Sequence, residues 1–261
     1  MQSEVEDMDL LEVLNEAADA IAAVLAPLED WGLAGTRAGQ YHSDLAADAA
    51  AIAVLAGAGL GVLSEESGLH HADRDVMVVV DPVDGSTNAA HGLPWYATSL
   101  CALDDEGALA AVVVNQSSGV RYEAVRGGGA RCDGESIVPS TGVELGTALI
   151  GLSGLPPRHL GWGQFRALGA AALDLCAVAA GLLDGYVDCS EHGHAPWDYL
   201  GGMLVCQEAG AGVVDAFGRD LVVRSWTERR TPLAAGSAQL LAALREARAS
   251  FDCGRPEGKT G

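Results

Sequence analysis

The stretch Val78-Val79-Val80-Asp81-Pro82-Val83-Asp84-Gly85-Ser86-Thr87-Asn88 decides how this chain reads. Three successive valines have the composition of a strand buried on both faces. The run ends in two carboxylates with two residues between them. Pro82 fixes its own φ and biases Asp81 towards extended backbone, so both acidic side chains sit on stiff chain. Gly85 permits a sharp turn, and Ser86-Thr87-Asn88 are residues that favour a helix N-cap. A strand that delivers two carboxylates beside a helix N-terminus can hold hard cations and a phosphate together. Asp-Pro and Asp-Gly pairs also make ordinary surface turns, so the stretch alone supports either reading.

Composition narrows the setting. A chain of 261 residues can form one large domain or two intimately packed halves. With 49% hydrophobic residues and 34 glycines it suits a compact α/β protein and argues against disorder. Gly, Asp or Glu interrupts every apolar run before the roughly 18 residues of a membrane span. The acidic start Met1-Gln2-Ser3-Glu4-Val5-Glu6-Asp7 lacks the basic opening of a secretory signal, so the expected location is the cytoplasm. Six scattered cysteines (Cys101, Cys132, Cys176, Cys189, Cys206, Cys253) show no C-x-x-C spacing; they are expected to be reduced and structural, and none is assigned to zinc. The formal net charge is −21, and Lys259 is the single lysine among 15 basic residues. Such a chain repels nucleic acid and anionic membranes, and neither is expected as a partner. A phosphate substrate would be repelled too unless cations screened it.

Apolar spacing predicts a first helix over residues 9–28, disturbed or ended near Pro27, and a second from Ser43 or Asp44 to Ala58. Gly61-Val62-Leu63-Ser64 then leads into Glu65-Glu66. Strand-like runs follow at 76–80, 97–103, 108–115 and 120–125, a strand-rich meander reaching about residue 142. Beyond it strands at 147–152, 185–189, 212–215 and 233–236 alternate with helices at 168–183, 197–209 and 237–249, the last capped by Ser237. The expected organisation is an N-terminal α+β metal-binding half (4–142), a C-terminal α/β substrate-binding half (143–250) and a disordered tail (251–261).

Further acidic positions extend the opening motif. Glu65 and Glu66 follow a strand, Asp198 stands at a helix start after Trp197, and Asp44 and Asp48 share one helix face. With these in place, Asp81–Asn88 followed by His91-Gly92-Leu93-Pro94 resembles the signature of the inositol monophosphatase family, Asp-Pro-hydrophobic-Asp-Gly-Thr-x-Asn-Phe. Trp197-Asp198-Tyr199-Leu200-Gly201-Gly202 is similar to the second family signature, Trp-Asp-x-Ala-x-Gly. The resemblance covers about residues 9–249, with both motifs in the family's order. It implies a layered αβαβα sandwich with an antiparallel N-terminal sheet and a mixed C-terminal α/β half.

The resemblance also implies a site. Glu65, Asp81 and the Val83 carbonyl would bind one Mg²⁺, and Asp81, Asp84 and Asp198 a second. Glu65 and a water near Asp48 would serve a third. Ser86, in the family's threonine position, would orient the attacking water with Asp48, giving Glu65, Asp48 and Ser86 as the catalytic set. Asp84, Gly85, Ser86, Gly169, Ala171, Asp188 and Glu191 would meet the substrate. Departures are visible: Ser64 replaces a Gly without expected consequence, Ser86 a Thr and Ala89 an aromatic, and Arg37 stands where the family often has Lys.

The chemistry is coherent on its own terms. Phosphate monoester hydrolysis needs phosphoryl charge neutralised, a water activated and a leaving oxygen stabilised, and two to three Mg²⁺ ions supply all of these. The expected activity is Mg²⁺-dependent hydrolysis of a small phosphorylated metabolite by metal-activated water, with inositol monophosphate as the default substrate and a homodimer as the default assembly. Histidinol phosphate, fructose 1,6-bisphosphate and 3′-phosphoadenosine 5′-phosphate are alternatives; few arginines near the motifs favour a monophosphate. A non-catalytic binding or regulatory protein on the same fold is the alternative from another class. His192 and His194 are read as a polar substrate-side loop in preference to a transition-metal site. His70-His71 is read as a solvated turn, Trp95, Trp162 and Trp226 as packing residues, and Asp44 as a helix cap.

Overall fold

The computed structural model describes residues 9–28, 31–34 and 40–252. Helix α1 (Leu10–Leu25) starts where Asp9 Oδ1 accepts from the N–H groups of Leu11 and Glu12 at 3.1 and 3.3 Å. It stops before Leu28 because Pro27 has no N–H to continue the ladder. Helix α2 (His42–Gly57) buries Ala47, Ala51 and Leu55 beside Asp44 and Asp48. Its alanines let it lie close against α1.

The first sheet has eight strands in the order β2-β1-β3-β4-β5-β6-β7-β8. These are β1 (Gly61–Ser64), β2 (Gly68–His70), β3 (Met77–Asp84), β4 (Ala97–Asp104), β5 (Gly107–Asn115), β6 (Arg121–Val125), β7 (Gly129–Cys132) and β8 (Glu135–Ser136). The sheet is not wholly antiparallel, since β1 runs parallel to β3. The β1–β2 hairpin turns the chain once, so β3 enters on the other side of β1 in the same direction. His70, expected in a solvated turn, ends the three-residue edge strand β2. A run that short carries no periodic signal.

The second sheet has the order β10-β9-β11-β13-β12. It comprises β9 (Leu149–Ser153), β10 (Gln164–Arg166), β11 (Gly185–Asp188), β12 (Gly212–Asp215) and β13 (Pro232–Ala235), with β10, β9 and β11 parallel and β13 antiparallel to both neighbours. The exposed edge strand β10 was not anticipated. The helix expected over 168–183 contracts to α4 (Ala171–Ala179), because Gly169 and Gly181 take φ values of +91° and +69° that no helix admits. Helix α5 (Pro196–Ala209) follows, and α6 (Ala238–Asp252) begins with Leu240 N–H donating to Ser237 Oγ at 3.2 Å. Residues 251 and 252, expected in a disordered tail, complete α6, while 253–261 with Cys253 and Lys259 lie outside the described residues, as do 4–8 and Arg37.

Strand alternation sorts the core into layers. Val78 and Val80 face α1 and α2 in one cluster, while Met77 and Val79 face α4 and α5 in another. The second sheet packs Tyr186 and Ala234 against α4 and α5, and turns Ile150, Leu152, Val187 and Leu233 towards Leu240 and Leu244 of α6. The order is helices, sheet, helices, sheet, helix, an αβαβα sandwich. Cys101, Cys176, Cys189 and Cys206 are buried, Cys132 is half-buried, and all five are free thiols.

Helix α5 is buried on nearly every side, and its two glycines are a steric requirement. A Cβ on Gly202 would lie 2.6 Å from Leu175 Cβ and 2.8 Å from the Ala172 carbonyl oxygen; one on Gly201 would meet Ser99 Oγ at 2.7 Å. Gly202→Ala is therefore expected to cost about 1–3 kcal/mol through overpacking, lowering Tm by roughly 2–4 °C per kcal/mol. Gly57→Ala, in open space at the end of α2, should leave Tm unchanged or raise it; equal losses for the two variants would contradict this packing.

Candidate active site

A bulge in β3 creates the pairing of Asp81 with Asp84. Asp81 faces Ser99 and Asp84 faces Ala97 across the ladder to β4, so Pro82 and Val83 together oppose Thr98. Residues three apart in a regular strand point to opposite faces; one extra residue restores them to the same face. The strand thus continues through Asp84 and does not stop at Val80 as expected. The Asp81 and Asp84 side chains are 1% and 9% exposed. Asp81 Oδ1 accepts from Val83 N–H at 3.0 Å, and Thr98 Oγ1 donates to the Pro82 carbonyl at 2.9 Å.

Gly85 follows with φ +86° and itself occupies the N-cap of the short helix α3 (Ser86–Ala90). Ser86, Thr87 and Asn88 lie inside that helix and do not cap it. A Cβ on Gly85 would lie 3.1 Å from the carbonyl oxygens of Gly169 and Trp95 and 3.2 Å from Ala170 Cβ. Asn88 Nδ2 donates to the Trp95 and Leu168 carbonyls, each at 2.7 Å. Ala172 N–H, in the first turn of α4, donates to Asp84 Oδ2 at 2.7 Å. Gly169 and Ala171 are thereby brought to the carboxylate pair across more than 80 residues of sequence.

The remaining carboxylates converge from other elements. Glu65 continues β1, with its N–H on the Val80 carbonyl at 3.1 Å. Its own carbonyl accepts from Trp226 Nε1 at 3.2 Å, so Trp226, read from sequence as a packing residue, ties a C-terminal loop to the site. Asp198 lies within the first turn of α5, and its Oδ2 accepts from Ala195 N–H at 2.8 Å. Asp44 caps α2 by accepting from Tyr41 N–H at 2.9 Å. Asp48 accepts from the Ser64 hydroxyl, so the serine expected to be inconsequential engages a site carboxylate. Trp162 is core, and Trp95 packs while donating to buried Asp174 at 2.9 Å.

Residues 188–194 divide. Asp188 is fully buried, its Oδ1 accepting from Ser190 N–H at 2.8 Å. Glu191 and His192 are exposed and line a cavity of about 180 Å³ together with Arg219, Arg229 and Arg248. Arg219 is paired there with buried Asp215 at 2.7 Å, and Arg248 donates to the Asp188 carbonyl at 2.8 Å. His194 turns the other way, towards Asp198, so the two histidines do not form one metal site.

A profile of the inositol monophosphatase family matches residues 43–250. The chain belongs to the inositol monophosphatase family. It is 37% identical over 179 residues to an inositol-1-monophosphatase of Mesorhizobium japonicum, covering 61% of this chain and 65% of that protein, a little under two thirds of its length. It is 36% identical to a putative Nus factor SuhB of Neisseria meningitidis (70% of this chain, 74% of that one). It is 31% identical to a fructose-1,6-bisphosphatase of Pyrococcus furiosus (70% and 73%). The fold superposes on the solved inositol monophosphatase from Anabaena (Nostoc) sp. PCC 7120 with TM-score 0.77 at 26% identity, covering 92% of this chain and 95% of that one.

The family's metal requirement can be tested against the residues present. Burial, then the neighbouring charges of Glu65, Asp84 and Asp198, holds the Asp81 pKa well above the usual carboxylate range. Burial and Asp198 push Asp84 up to about 8. Among the described residues no Lys or Arg forms an ion pair with either. Buried carboxylates with no Lys or Arg partner suit a bound dication. No three Asp, Glu, His or Cys side chains among the described residues are gathered closely enough to enclose an ion unaided.

His194 is raised as well: burial opposes its charge, but the hydrogen bond and charge of Asp198, with Asp188 behind, push it up to about 9. In the metal-free fold Asp84 and His194 thus hold protons to higher pH than in the unfolded chain. The native state binds more protons across the window from 3.8 to about 9, so its stability falls as pH rises through it. Metal-free protein should show a Tm that declines from about pH 5 to about pH 9. Excess Mg²⁺ should remove most of that decline, and Asp84→Asn should lessen it without metal, leaving the share of His194 and Asp81. A flat metal-free profile, measured by scanning calorimetry, would contradict the electrostatic description.

Proposed function

We propose that this chain is a Mg²⁺-dependent phosphatase of small phosphorylated metabolites, with inositol monophosphate as the first substrate to test. The observation that carries the reading is the bulged β3, which puts buried Asp81 and Asp84 on one face beside Glu65 and Asp198 in a chain of this family. Asp81, Asp84, Asp198, Glu65 and the Val83 carbonyl hold two to three ions. Bound there, the ions neutralise phosphoryl oxygens and lower the pKa of water. The N–H groups of Gly85 and Ser86 receive the phosphate, and Ser86 with Asp48 orients the attacking water. Gly169, Ala171, Asp188 and Glu191 belong to the substrate side. The reading includes a homodimer in the cytoplasm, with no nucleic acid or membrane partner.

A second reading has specific support. Arg229 lines the cavity beside Glu191 and supports a second substrate phosphate, whereas Arg219 there is paired with Asp215 at 2.7 Å and Arg248 donates to the Asp188 carbonyl at 2.8 Å. The resemblance to the Pyrococcus furiosus protein named fructose-1,6-bisphosphatase supports the same direction. The relatives named Nus factor SuhB keep a non-catalytic role in view.

A phosphate-release panel separates these readings. Inositol monophosphate, histidinol phosphate, fructose 1,6-bisphosphate and 3′-phosphoadenosine 5′-phosphate are each offered with Mg²⁺. Turnover is expected on at least one, abolished by EDTA and lowered about 100-fold or more by Asp84→Asn. Arg229→Ala should raise KM for a bisphosphate and leave a monophosphate unchanged. Folded protein that binds Mg²⁺ and releases phosphate from none of the four favours the non-catalytic role and overturns the enzyme reading.

A further inference from the structure

Tyr186, His194 and Asp198 form a hydrogen-bonded chain that ends on a carboxylate assigned above to the second ion. Tyr186 lies on β11 and is fully buried, and its hydroxyl meets His194 Nε2 at 2.9 Å. On the other side of the ring, Nδ1 lies 3.2 Å from Asp198 Oδ2. The residue is also pinned through its backbone. His194 N–H donates to the Arg230 carbonyl at 2.7 Å, and Arg230 N–H donates to the His194 carbonyl at 2.8 Å.

Elementary chemistry fixes one end of this chain. A metal-binding carboxylate can only accept, so Nδ1 carries a proton and donates it to Asp198. The Tyr186 hydroxyl closes the Nε2 side in either charge state, accepting from Nε2–H of the imidazolium or donating to Nε2 of the neutral ring. Asp198 Oδ2 receives a second donor from Ala195 N–H at 2.8 Å, while among the described residues Oδ1 accepts no hydrogen bond. Both ring nitrogens are therefore engaged, and the imidazole is not itself available as an ion ligand.

We infer that His194 is a positioning residue for metal binding: held by Tyr186, it saturates Oδ2 of Asp198 and leaves Oδ1 as the oxygen offered to the second ion. The inference rests on the metal-dependent reading above. Outer-shell partners of metal ligands fix ligand orientation, and losing one costs about 10–100-fold in metal affinity. His194 additionally joins the metal ligand to the substrate side, since its Nε2 also lies 3.8 Å from Asp188 Oδ1.

Three variants of the full chain test this by Mn²⁺ titration, with free Mn²⁺ followed by electron paramagnetic resonance and Tm recorded for each. His194→Leu should weaken the weaker class of Mn²⁺ sites about 10–100-fold and spare the tighter class. His194→Asn, whose amide N–H can stand where Nδ1–H stood, should recover most of the loss. Tyr186→Phe should weaken binding in the same sense by less. In turnover, the Mg²⁺ concentration for half-maximal rate should rise in His194→Leu while kcat at saturating Mg²⁺ stays near wild type.

A folded His194→Leu with unchanged Mn²⁺ affinities and a lowered Tm overturns the inference, because that is the signature of a merely structural histidine. If His194→Leu does not fold, Tyr186→Phe decides alone, and wild-type affinities there have the same consequence. Wild-type protein that binds no Mn²⁺ overturns the metal-dependent reading itself, before any variant is compared.

Discussion

The structure turns on one constraint: β3 is buried on both faces and must still deliver two carboxylates to a common point. A regular strand would satisfy the first requirement and fail the second. The bulge at Pro82-Val83 resolves this, because an extra residue shifts the alternation after the apolar stretch has been packed. Proline suits the position, since its missing N–H is tolerated where the ladder is interrupted. Gly85 then turns the chain within space closed off by the Gly169 and Trp95 carbonyls. Core packing and site geometry are thus two demands on the same eight residues.

Neither sheet owns the site. Asp84 is held by an N–H of α4, Glu65 by an indole from the loop before β13, and Asn88 staples α3 to the segment preceding α4. Helix α5 carries Asp198 and is packed so closely that glycine is required at two adjacent positions. The carboxylates repel one another, and the assembly tolerates that repulsion because the surrounding cores over-determine the backbone. A dication replaces the repulsion with attraction, which makes metal binding and stability aspects of one equilibrium.

Much of this was legible in the sequence. Helices, most strands, their order and the members of the acidic cluster follow from apolar periodicity and from two short motifs. What escaped notice has physical reasons. Strands β2 and β10 are three residues long, too short for an alternation to register. The parallel pairing of β1 and β3 depends on β2, so missing one meant missing the other. Ser86-Thr87-Asn88 looked like caps, yet Gly85 took that role through a backbone conformation that propensity does not reveal. Ser64 and Trp226 act on Asp48 and Glu65 through contacts 16 and 161 residues apart, and no local pattern encodes such pairings. The arginines of the Glu191 cavity gather for the same reason: tertiary folding, and not sequence proximity, sets the local charge.

Two indoles stand beside Glu65 and Asp198, two of the proposed metal ligands. Trp226 donates to the carbonyl of Glu65, and Trp197 immediately precedes Asp198; their rings meet with centroids 5.9 Å apart, and the Arg229 guanidinium lies 5.5 Å from the Trp197 ring centroid. Trp31 and Trp162 belong to other core clusters, while Trp95 packs against the same cluster as Trp197. The protein therefore carries its own optical gauge. Any rearrangement of Glu65 relative to Asp198 changes the environment of this tilted indole pair, so intrinsic fluorescence responds when the two sides of the acidic cluster move with respect to each other.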